Sequence, residues 1–300
     1  MNITFSVVVP TYNRLRLLRN TLESLFKQDF PDYEIIVVDD GGNDGTAEYL
    51  AELTRNGRIH GISQANAGLA ATRSAGLAVA RGEFVAFTDD DCVVPPDWLK
   101  RYREAFLRTG AAGIGGATET GNPGNAYAFV NDIMHNHFKR AFASGAGGYG
   151  GGTPFLTGNN VAYSRSALER VGGPDPRFRM GAEDRDLAYR VSATGGLVVY
   201  EPSIVVQHFN DSDFGRYVRQ QYRYGVGSYL FYTESGKGGK APGPAPGPAS
   251  AAAYLGLLFA PFSQAGFFRA LFLSFLIMVG QTAVVVGFMR QAMTARRPSK

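Results

Sequence analysis

The stretch EIIVVDDGGNDGT at residues 34–46 decides the fold class of this chain. Residues 34–39 form a nearly continuous, β-branched apolar run, which is typical of a parallel strand buried on both faces. The run ends in Asp39 and Asp40, and a glycine turn then leads into a helix that we predict over 45–54. A strand that ends in polar residues before a helix is the repeating unit of an α/β sheet, whose ligands bind at the carboxyl ends of the strands.

The same alternation extends over about the first hundred residues, the length of three or four βα units. A second apolar run, ITFSVVV at 3–9, precedes leucines at helical spacing within 14–28. A further helix is predicted over 68–80 and a further strand over 83–88. Alternating strands and helices predict a doubly wound, mostly parallel, Rossmann-like sheet.

Beyond residue 110 the pattern is less regular. The glycine-rich segment 110–158 reads as irregular structure, the acidic start of 183–194 favours a helix, and 197–209 contains a short strand. The Pro/Gly-rich linker at 236–250 is the clearest boundary in the sequence. We therefore expect three parts, which are a catalytic domain at 1–235, the linker, and a hydrophobic segment at 251–300.

Composition and charge exclude several classes of protein. Apolar residues make up 45% of the chain, so it is not intrinsically disordered, and its single Cys excludes an internal disulfide and a Cys-cluster zinc site. Seven cations and no acid follow Glu234, so residues 1–234 hold 23 Lys and Arg residues against 26 acids. A basic nucleic-acid-binding face on the main domain is therefore not expected.

Three adjacent acids, Asp89, Asp90 and Asp91, follow the strand predicted at 83–88. Adjacent carboxylates repel one another, so a fold that gathers them usually supplies a cation. Oxygen ligands favour Mg²⁺ or Mn²⁺, which a nucleotide's phosphates would share. The alternative is a solvated acidic turn, and the position at the end of a strand favours the metal site over it.

With these motifs in order, the chain resembles the family 2 glycosyltransferases, which have the GT-A fold. The resemblance covers most of residues 5–235. Its landmarks are PTYNR at 10–14, VVDDGGNDGT at 37–46, NAGLAATRSAGLAVARG at 66–82, FTDDDCVVPPDWL at 87–99, FLTGNNVAYSRSALERVGGPDPRF at 155–178 and GAEDRDLAYR at 181–190.

The resemblance implies roles for individual residues. Asp184 would be the general base, and Asp91 would ligate Mg²⁺ or Mn²⁺ as one of the two acids of the family's DxD motif, with Asp89 as the other. Asp39 would contact the nucleobase, and Arg73 would lie near the diphosphate. The implied nucleotide pocket comprises Pro10, Tyr12, Arg14, Asp39, Asp40, Arg73, Asp89 and Asp90. The implied acceptor site comprises Gly158, Asn159, Asn160 and Glu183.

Histidines and glycines give weaker signals. His208 ends a predicted strand where some family members place a metal-ligating histidine, but a lone histidine is more often a packed or surface residue. His135 and His137 lack a third ligand at a suitable spacing, which favours a structural or acceptor-lining role. Gly145, Gly147 and Gly150 match GxGxxG but follow no strand, so they predict no dinucleotide site. Cys92 has no identifiable base and is expected to be a packing residue.

The function that these features favour is an inverting, metal-dependent transfer of sugar from a nucleotide-sugar donor to a hydroxyl of a glycan or lipid-linked acceptor, in cell-surface polysaccharide synthesis. A sugar nucleotidyltransferase would need a glycine-rich, basic loop after the first strand, which PTYNR does not supply. A glycoside hydrolase would not need this nucleotide-type sheet. An inactive membrane-tethered glycan-binding module would not need Asp91 and Asp184.

The C-terminal segment predicts membrane attachment. Residues 270–289 carry no charge over twenty residues, which is about 30 Å of helix and the thickness of the hydrocarbon core. A buried core helix or an interfacial helix would also fit. The cations that follow residue 289 disfavour a single span, so we expect two spans or a re-entrant or interfacial hairpin, with both ends of the chain in the cytoplasm. The N-terminus lacks the features of a signal peptide, so we expect the main domain at the cytoplasmic face of the membrane. We also expect a chain lacking 241–300 to be soluble and to bind donor.

Overall fold

The computed structural model describes residues 3–143, 156–235 and 248–295. Eight strands form a single sheet: β1 (Phe5–Thr11), β2 (Tyr33–Asp39), β3 (His60–Ser63), β4 (Phe84–Thr88), β5 (Cys92–Val93), β6 (Gly113–Thr120), β7 (Asn160–Ser164) and β8 (Val198–His208).

Helices connect and cover these strands. They are α1 (Leu15–Leu25), α2 (Thr46–Arg55), α3 (Leu69–Val79), α4 (Trp98–Thr109), α5 (Ala126–Ala143), α6 (Arg165–Val171), α7 (Glu183–Ala193), α8 (Phe214–Glu234), α9 (Pro248–Phe259) and α10 (Phe267–Ala295). A short 3-10 turn, Ala260–Ser263, joins α9 to α10.

The strand order is β3-β2-β1-β4-β7-β6-β8-β5. The first four strands in this order pair in parallel, as do β6 and β8. The pairs β4–β7, β6–β7 and β5–β8 are antiparallel. The predicted α/β class with a mostly parallel sheet is confirmed, and the segments after β1, β2 and β4 leave the sheet at one edge.

The alternation of side chains along each strand divides the core between the two faces of the sheet. Val7 and Val9 of β1 pack with α1, α2 and α4, whereas Val8 packs with α3, α6 and α7 on the other face. Because both faces are covered, β1 and β2 are apolar at successive positions, and this is why their runs are continuous in the sequence.

Two expectations need correction. The segment 110–158 is not irregular throughout, since it contains β6 and the 18-residue helix α5. The strand expected within 197–209 is not short but runs for 11 residues, with a register shift against β6 between Gly116 and Ala117. The sequence of β6 does not look like a strand because it contains glycines at 113, 115 and 116. In the structure, the side chains of Tyr163, Leu156 and Asn160 occupy the space where a Cβ of these glycines would lie.

The C-terminal helices share a core with the rest of the chain. Leu257 of α9 and Leu273, Leu276 and Ile277 of α10 are buried against α5 and α8 in a third apolar cluster. Their removal would expose that cluster, which argues against the expectation that a chain lacking 241–300 is a well-behaved soluble domain. Most of the expected linker, residues 236–247, lies outside the described residues.

Gly76 of α3 tests how tightly the helices pack on the sheet. A Cβ at this position would lie 2.4 Å from Val8 Cγ1, so Gly76→Val should overpack the core and reduce the free energy of unfolding by about 1–3 kcal/mol. Urea unfolding measures the change. Gly124→Val is the control, because its Cβ would have no neighbour closer than 3.7 Å and stability should be nearly unchanged. Equal effects in the two variants would contradict the packing described here.

Candidate active site

A cavity of about 1160 Å³ opens at the edge of the sheet where β1 and β4 end. Tyr12 and Arg14 follow β1, and Asp89 and Asp91 follow β4, so the polar ends of two adjacent parallel strands line the same space. Asp184, at the first turn of α7, lines it as well. The structure thus brings together residues that lie 170 positions apart in the chain.

The three acids after β4 contact two arginines and a threonine. Asp89 accepts a hydrogen bond from Arg73 Nη2 at 2.6 Å. Asp90 turns inward and accepts from Thr11 Oγ1 at 2.7 Å and from Arg14 Nη1 at 3.1 Å. Asp91 accepts from the same Arg14 nitrogen at 2.7 Å. Because Arg14 and Arg73 divide the three carboxylates between them, their mutual repulsion is compensated within the protein.

Environment separates the pKa values of Asp90 and Asp91. Burial and the neighbouring charge of Asp91 raise the pKa of Asp90 to about 7, even though Arg14 favours its charged form. Burial acts in the same direction on Asp91, but the charges of His208 and Arg14 outweigh it and hold its pKa well below the ordinary range. Asp91 is therefore the acid of this pair that stays ionised, and Asp90 is a structural contact to β1.

His208 ends β8 beside Asp91. Its Nε2 lies 3.4 Å from Asp91 Oδ1, and its Nδ1 lies 3.1 Å from Asp132 Oδ1. Asp132 lies on α5 and is buried, so it fixes the orientation of the imidazole, as carboxylates behind metal-binding histidines do. In the described part of the chain, no three His, Cys, Asp or Glu side chains are grouped to hold a metal by themselves.

The Asp91–His208 pair nevertheless fits a divalent cation that takes its other ligands from a nucleotide. One carboxylate oxygen and one imidazole nitrogen face each other at the cavity, and the second ring nitrogen is engaged by Asp132. Mg²⁺ and Mn²⁺ are commonly held by few protein ligands together with phosphate oxygens.

Arg73 joins the acidic turn to Glu183, the neighbour of the candidate base Asp184. It is 4% exposed, and its two terminal nitrogens donate to Asp89 Oδ1 and to Glu183 Oε1, each at 2.6 Å. Burial and the adjacent Asp184 raise the pKa of Glu183 to about 7, although the charge of Arg73 opposes the shift. With Arg73 and Glu183 committed to each other, the structure places them as a buried support under the cavity.

Asp184 is held by backbone donors. Its Oδ2 accepts from Gly158 N at 3.0 Å, and its Oδ1 accepts from Arg185 N at 2.8 Å. Burial raises its pKa above that of an ordinary aspartate, against the charge of Arg73. Gly158 is required here, since a Cβ would lie 2.4 Å from Arg73 Nη1. A positioned carboxylate with a raised pKa is suited to accept a proton.

The residues expected at the nucleobase are less exposed to the cavity. Asp40 accepts from the backbone nitrogens of Ala67 and Gly68, both at 2.9 Å, and from Gln64 Nε2 at 2.8 Å. Its carboxylate therefore anchors the loop before α3, which corrects the expectation that it belongs to the nucleotide pocket. Asp39 is also buried and accepts from Gly42 N at 3.1 Å, and its contact with a nucleobase stays a prediction.

Pro10 and Tyr12 lie at the end of β1. Pro10 is buried within the strand opposite Val38, whereas the side chain of Tyr12 is half exposed at the cavity. The ring of Tyr12 is therefore accessible for stacking on a ligand. Pro10 is a buried residue of β1 and does not line the cavity, which corrects the expectation that it belongs to the nucleotide pocket.

One acceptor assignment needs correction. Asn160 is fully buried, and its Oδ1 accepts from Trp98 Nε1 at 3.0 Å and from Tyr102 OH at 2.8 Å. Its Nδ2 donates to the carbonyls of Ala117 and Ile204. All its hydrogen-bonding capacity is used inside the core, so Asn160 holds the sheet together at the β6–β8 irregularity. Gly158 and Asn159 do line the cavity.

The remaining polar residues divide in the same way. His135 lines the cavity, while His137 Nε2 lies 2.7 Å from the Ala253 carbonyl and packs α5 against α9. Cys92 is fully buried, as expected of a packing residue. Gly145, Gly147 and Gly150 lie outside the described residues.

The sequence profile described as Glycosyl transferase family 2 matches residues 6–172, which is more than half of the chain. The chain belongs to glycosyl transferase family 2. The match ends before Asp184 and His208, so the assignment of those two residues depends on the structure and on the motif around Asp184.

Relatives of this family 2 chain include a glycosyltransferase from Nostoc sp., described as uncharacterized, which is 30% identical over 59% of this chain and 56% of its own. The chondroitin synthase of Escherichia coli is 29% identical over 63% of this chain and 32% of its own. The chain therefore spans about half or less of the length of these curated relatives.

A solved structure with a similar fold is the mannosyltransferase PcManGT from Pyrobaculum calidifontis, described in complex with GDP-Man and Mn²⁺. It superposes with a TM-score of 0.66 at 21% identity, covering 99% of this chain and 89% of that one. At this level of identity the likeness confirms the GT-A fold expected from the sequence.

Sequence reasoning missed several residues of the family 2 site. Asp132, behind His208, lies in a segment for which the sequence predicts irregular structure. Tyr254 of α9 and Gln281 and Val284 of α10 line the cavity, although the sequence predicts only membrane attachment for their segment. Asn13 and Ala182 are the non-glycine residues with positive φ in the described chain, and both line the cavity. Asn13 and Ala182 lie within the motifs PTYNR at 10–14 and GAEDRDLAYR at 181–190. The residues of α5, α9 and α10 carry no local signal, because tertiary packing brings them to the cavity.

Asn160 tests the division between core and cavity. Asn160→Ala leaves the buried donors of Trp98 and Tyr102 without their acceptor, so the free energy of unfolding should fall by on the order of 3 kcal/mol. Denaturant unfolding measures this loss. Asn159 is also buried, but it lines the cavity and its Oδ1 accepts only from the hydroxyls of Thr157 and Thr118. Because a hydroxyl can rotate towards another acceptor, Asn159→Ala should cost less stability. If Asn160→Ala keeps wild-type stability and only raises the KM for an acceptor, the structural role is wrong.

Proposed function

We propose that this chain is an inverting, metal-dependent glycosyltransferase. It transfers a sugar from a nucleotide-sugar donor to a hydroxyl of a glycan or lipid-linked acceptor. The observation that carries the proposal is the double ion pair of Arg73, which ties Asp89 of the acidic turn to Glu183, the neighbour of Asp184. A candidate diphosphate site and a candidate base are thereby held within one cavity.

The donor would lie along the end of the sheet. Tyr12 offers a ring face to a nucleobase, and Arg14 lies where a diphosphate charge would need compensation. Asp91 and His208 would hold Mg²⁺ or Mn²⁺. When bound, the cation neutralises the negative charge that develops on the departing diphosphate. The donor complexes described for PcManGT support a nucleotide-sugar donor of this kind.

Transfer is a single displacement. The acceptor oxygen forms a bond to the anomeric carbon as the bond from that carbon to the diphosphate oxygen breaks, and the electron pair leaves with the nucleoside diphosphate. Asp184 takes the hydroxyl proton, for which its raised pKa suits it. Because no protein nucleophile intervenes, one displacement inverts the configuration at the anomeric carbon.

The acceptor would approach from the side of the cavity formed by Gly158, Asn159 and His135. The similarity to chondroitin synthase favours a role in polysaccharide synthesis. The helix Phe267–Ala295 is long and apolar enough to cross a membrane, with a mean hydropathy of 2.2, and it supports membrane attachment. The catalytic domain would then lie at the cytoplasmic face, because a nucleotide-sugar donor is a cytoplasmic metabolite.

Asp91→Asn tests the metal site. The amide loses the charge that attracts a divalent cation, so transfer should be abolished while the fold stays intact. Mn²⁺-dependent binding of GDP or UDP, followed by calorimetry, should be lost as well. Asp97→Asn, on the exposed side of the N-terminus of α4, is the matched control and should retain both. Full activity of Asp91→Asn, or of the wild type in EDTA, would refute the metal assignment.

Asp184→Asn tests the base. The amide keeps the size of the carboxylate but accepts no proton, so turnover should fall by roughly 10²–10⁴-fold while donor affinity survives. In the wild type, activity should decline as the pH falls through the raised pKa of Asp184, because the proton acceptor is then occupied. A collapse of donor affinity with unchanged turnover at saturation would show that Asp184 has another role.

A further inference from the structure

Helix α10 has two different faces, and neither is charged between residues 270 and 289. One face is buried in the protein through Ala270, Leu273, Ile277, Gly280 and Gly287. The opposite face is exposed along its whole length. Its large apolar residues are Phe268, Leu271, Phe272, Phe275, Met278, Val285, Val286, Met289 and Met293. A contiguous apolar stripe of this length on a protein surface indicates a site of contact with a membrane or with another protein.

The buried face lies against α8 over most of its length. Tyr217 OH donates to the Leu276 carbonyl at 2.9 Å, and further along both helices a Cβ on Gly225 would lie 2.0 Å from the Val284 carbonyl. A Cβ on Gly287 would lie 2.2 Å from the Tyr222 carbonyl. The glycines allow the two backbones to touch, so α8 and α10 pack closely. The contacts further along α8 also lie further along α10 than the Tyr217 contact does, so the two helices are parallel.

This pairing argues against a simple membrane span. Helix α8 exposes Arg216, Arg219 and Arg223, which line the cavity, and it would enter the hydrocarbon layer alongside α10 if α10 crossed it. Arginine at the centre of a bilayer opposes insertion, whereas arginine at its surface pairs with lipid phosphates. Arg269 and Arg290, which flank the uncharged part of α10, are exposed as well.

Helix α9 adds Leu255 and Phe259 to the exposed apolar surface, at 62% and 70% exposure. We propose that α9 and α10 lie in the plane of an anionic lipid leaflet, with the apolar stripe among the acyl chains, and do not cross the bilayer. Basic residues around an apolar helix face match the charge of such a leaflet. Because Tyr254, Gln281 and Val284 also line the cavity, this orientation brings one cavity wall to the membrane surface. The inference rests on the membrane attachment proposed above and specifies its geometry.

Depth measurements on the full chain test the geometry. Phe268→Cys, Met278→Cys and Met293→Cys place single labels along the exposed stripe, while the native Cys92 is buried and should not react. In vesicles of equal parts phosphatidylglycerol and phosphatidylcholine, lipids brominated at known depths should quench a fluorophore at all three sites to the same shallow level. Deep quenching at residue 278 with shallow quenching at 268 and 293 would establish a span and overturn the proposal.

Flotation with the same vesicles tests whether the chain binds a membrane at all, independently of how deep its helices lie. Leu271→Asp, on the stripe, should reduce the vesicle-bound fraction at least tenfold, and pure phosphatidylcholine vesicles should bind the wild type more weakly. Leu197→Asp is the matched control, because Leu197 is similarly exposed but precedes β8 on the main domain, and its binding should be unchanged. If the wild type does not float with either vesicle, both the attachment and its geometry are wrong. Equal loss in the two leucine variants would also refute the role of the stripe.

Discussion

The site depends on one buried guanidinium. Arg73 is almost inaccessible to water, and a charge in that position is tolerated only when it is paired and hydrogen-bonded. Its partners are Asp89, which follows β4, and Glu183, which begins α7, and the two carboxylates would repel each other without it. Gly158 has no side chain because the guanidinium occupies that space, and the same residue donates its backbone N–H to Asp184.

The acids of the cavity are chemically alike in sequence and different in structure. The carboxylates of Asp90 and Asp40 accept hydrogen bonds that hold loops to the sheet. Asp89 and Glu183 form ion pairs with Arg73. Asp91 lies at the cavity beside His208, and backbone N–H groups orient Asp184 there. Burial and neighbouring charge therefore give different roles to carboxyl groups that have nearly the same intrinsic pKa.

The C-terminal helices belong to the site as well as to the surface. Through α5, α8 and α10 the same apolar cluster supports the cavity wall on one side and the exposed stripe on the other. Asp132, which orients His208, lies on α5 within this layer.

The sequence alone determined the class of the fold, because strands buried on both faces must be apolar without interruption and β1, β2 and β4 show this directly. It also determined that acids follow β4 and that a basic, apolar segment ends the chain. It could not reveal β6, since the glycines of that strand are explained only by Tyr163, Leu156 and Asn160 filling their places. Nor could it separate Asn160 from Asn159, or Asp40 from Asp39. Those distinctions depend on which atoms lie within hydrogen-bonding distance after folding, and contacts between residues 58 to 110 positions apart are set by tertiary packing.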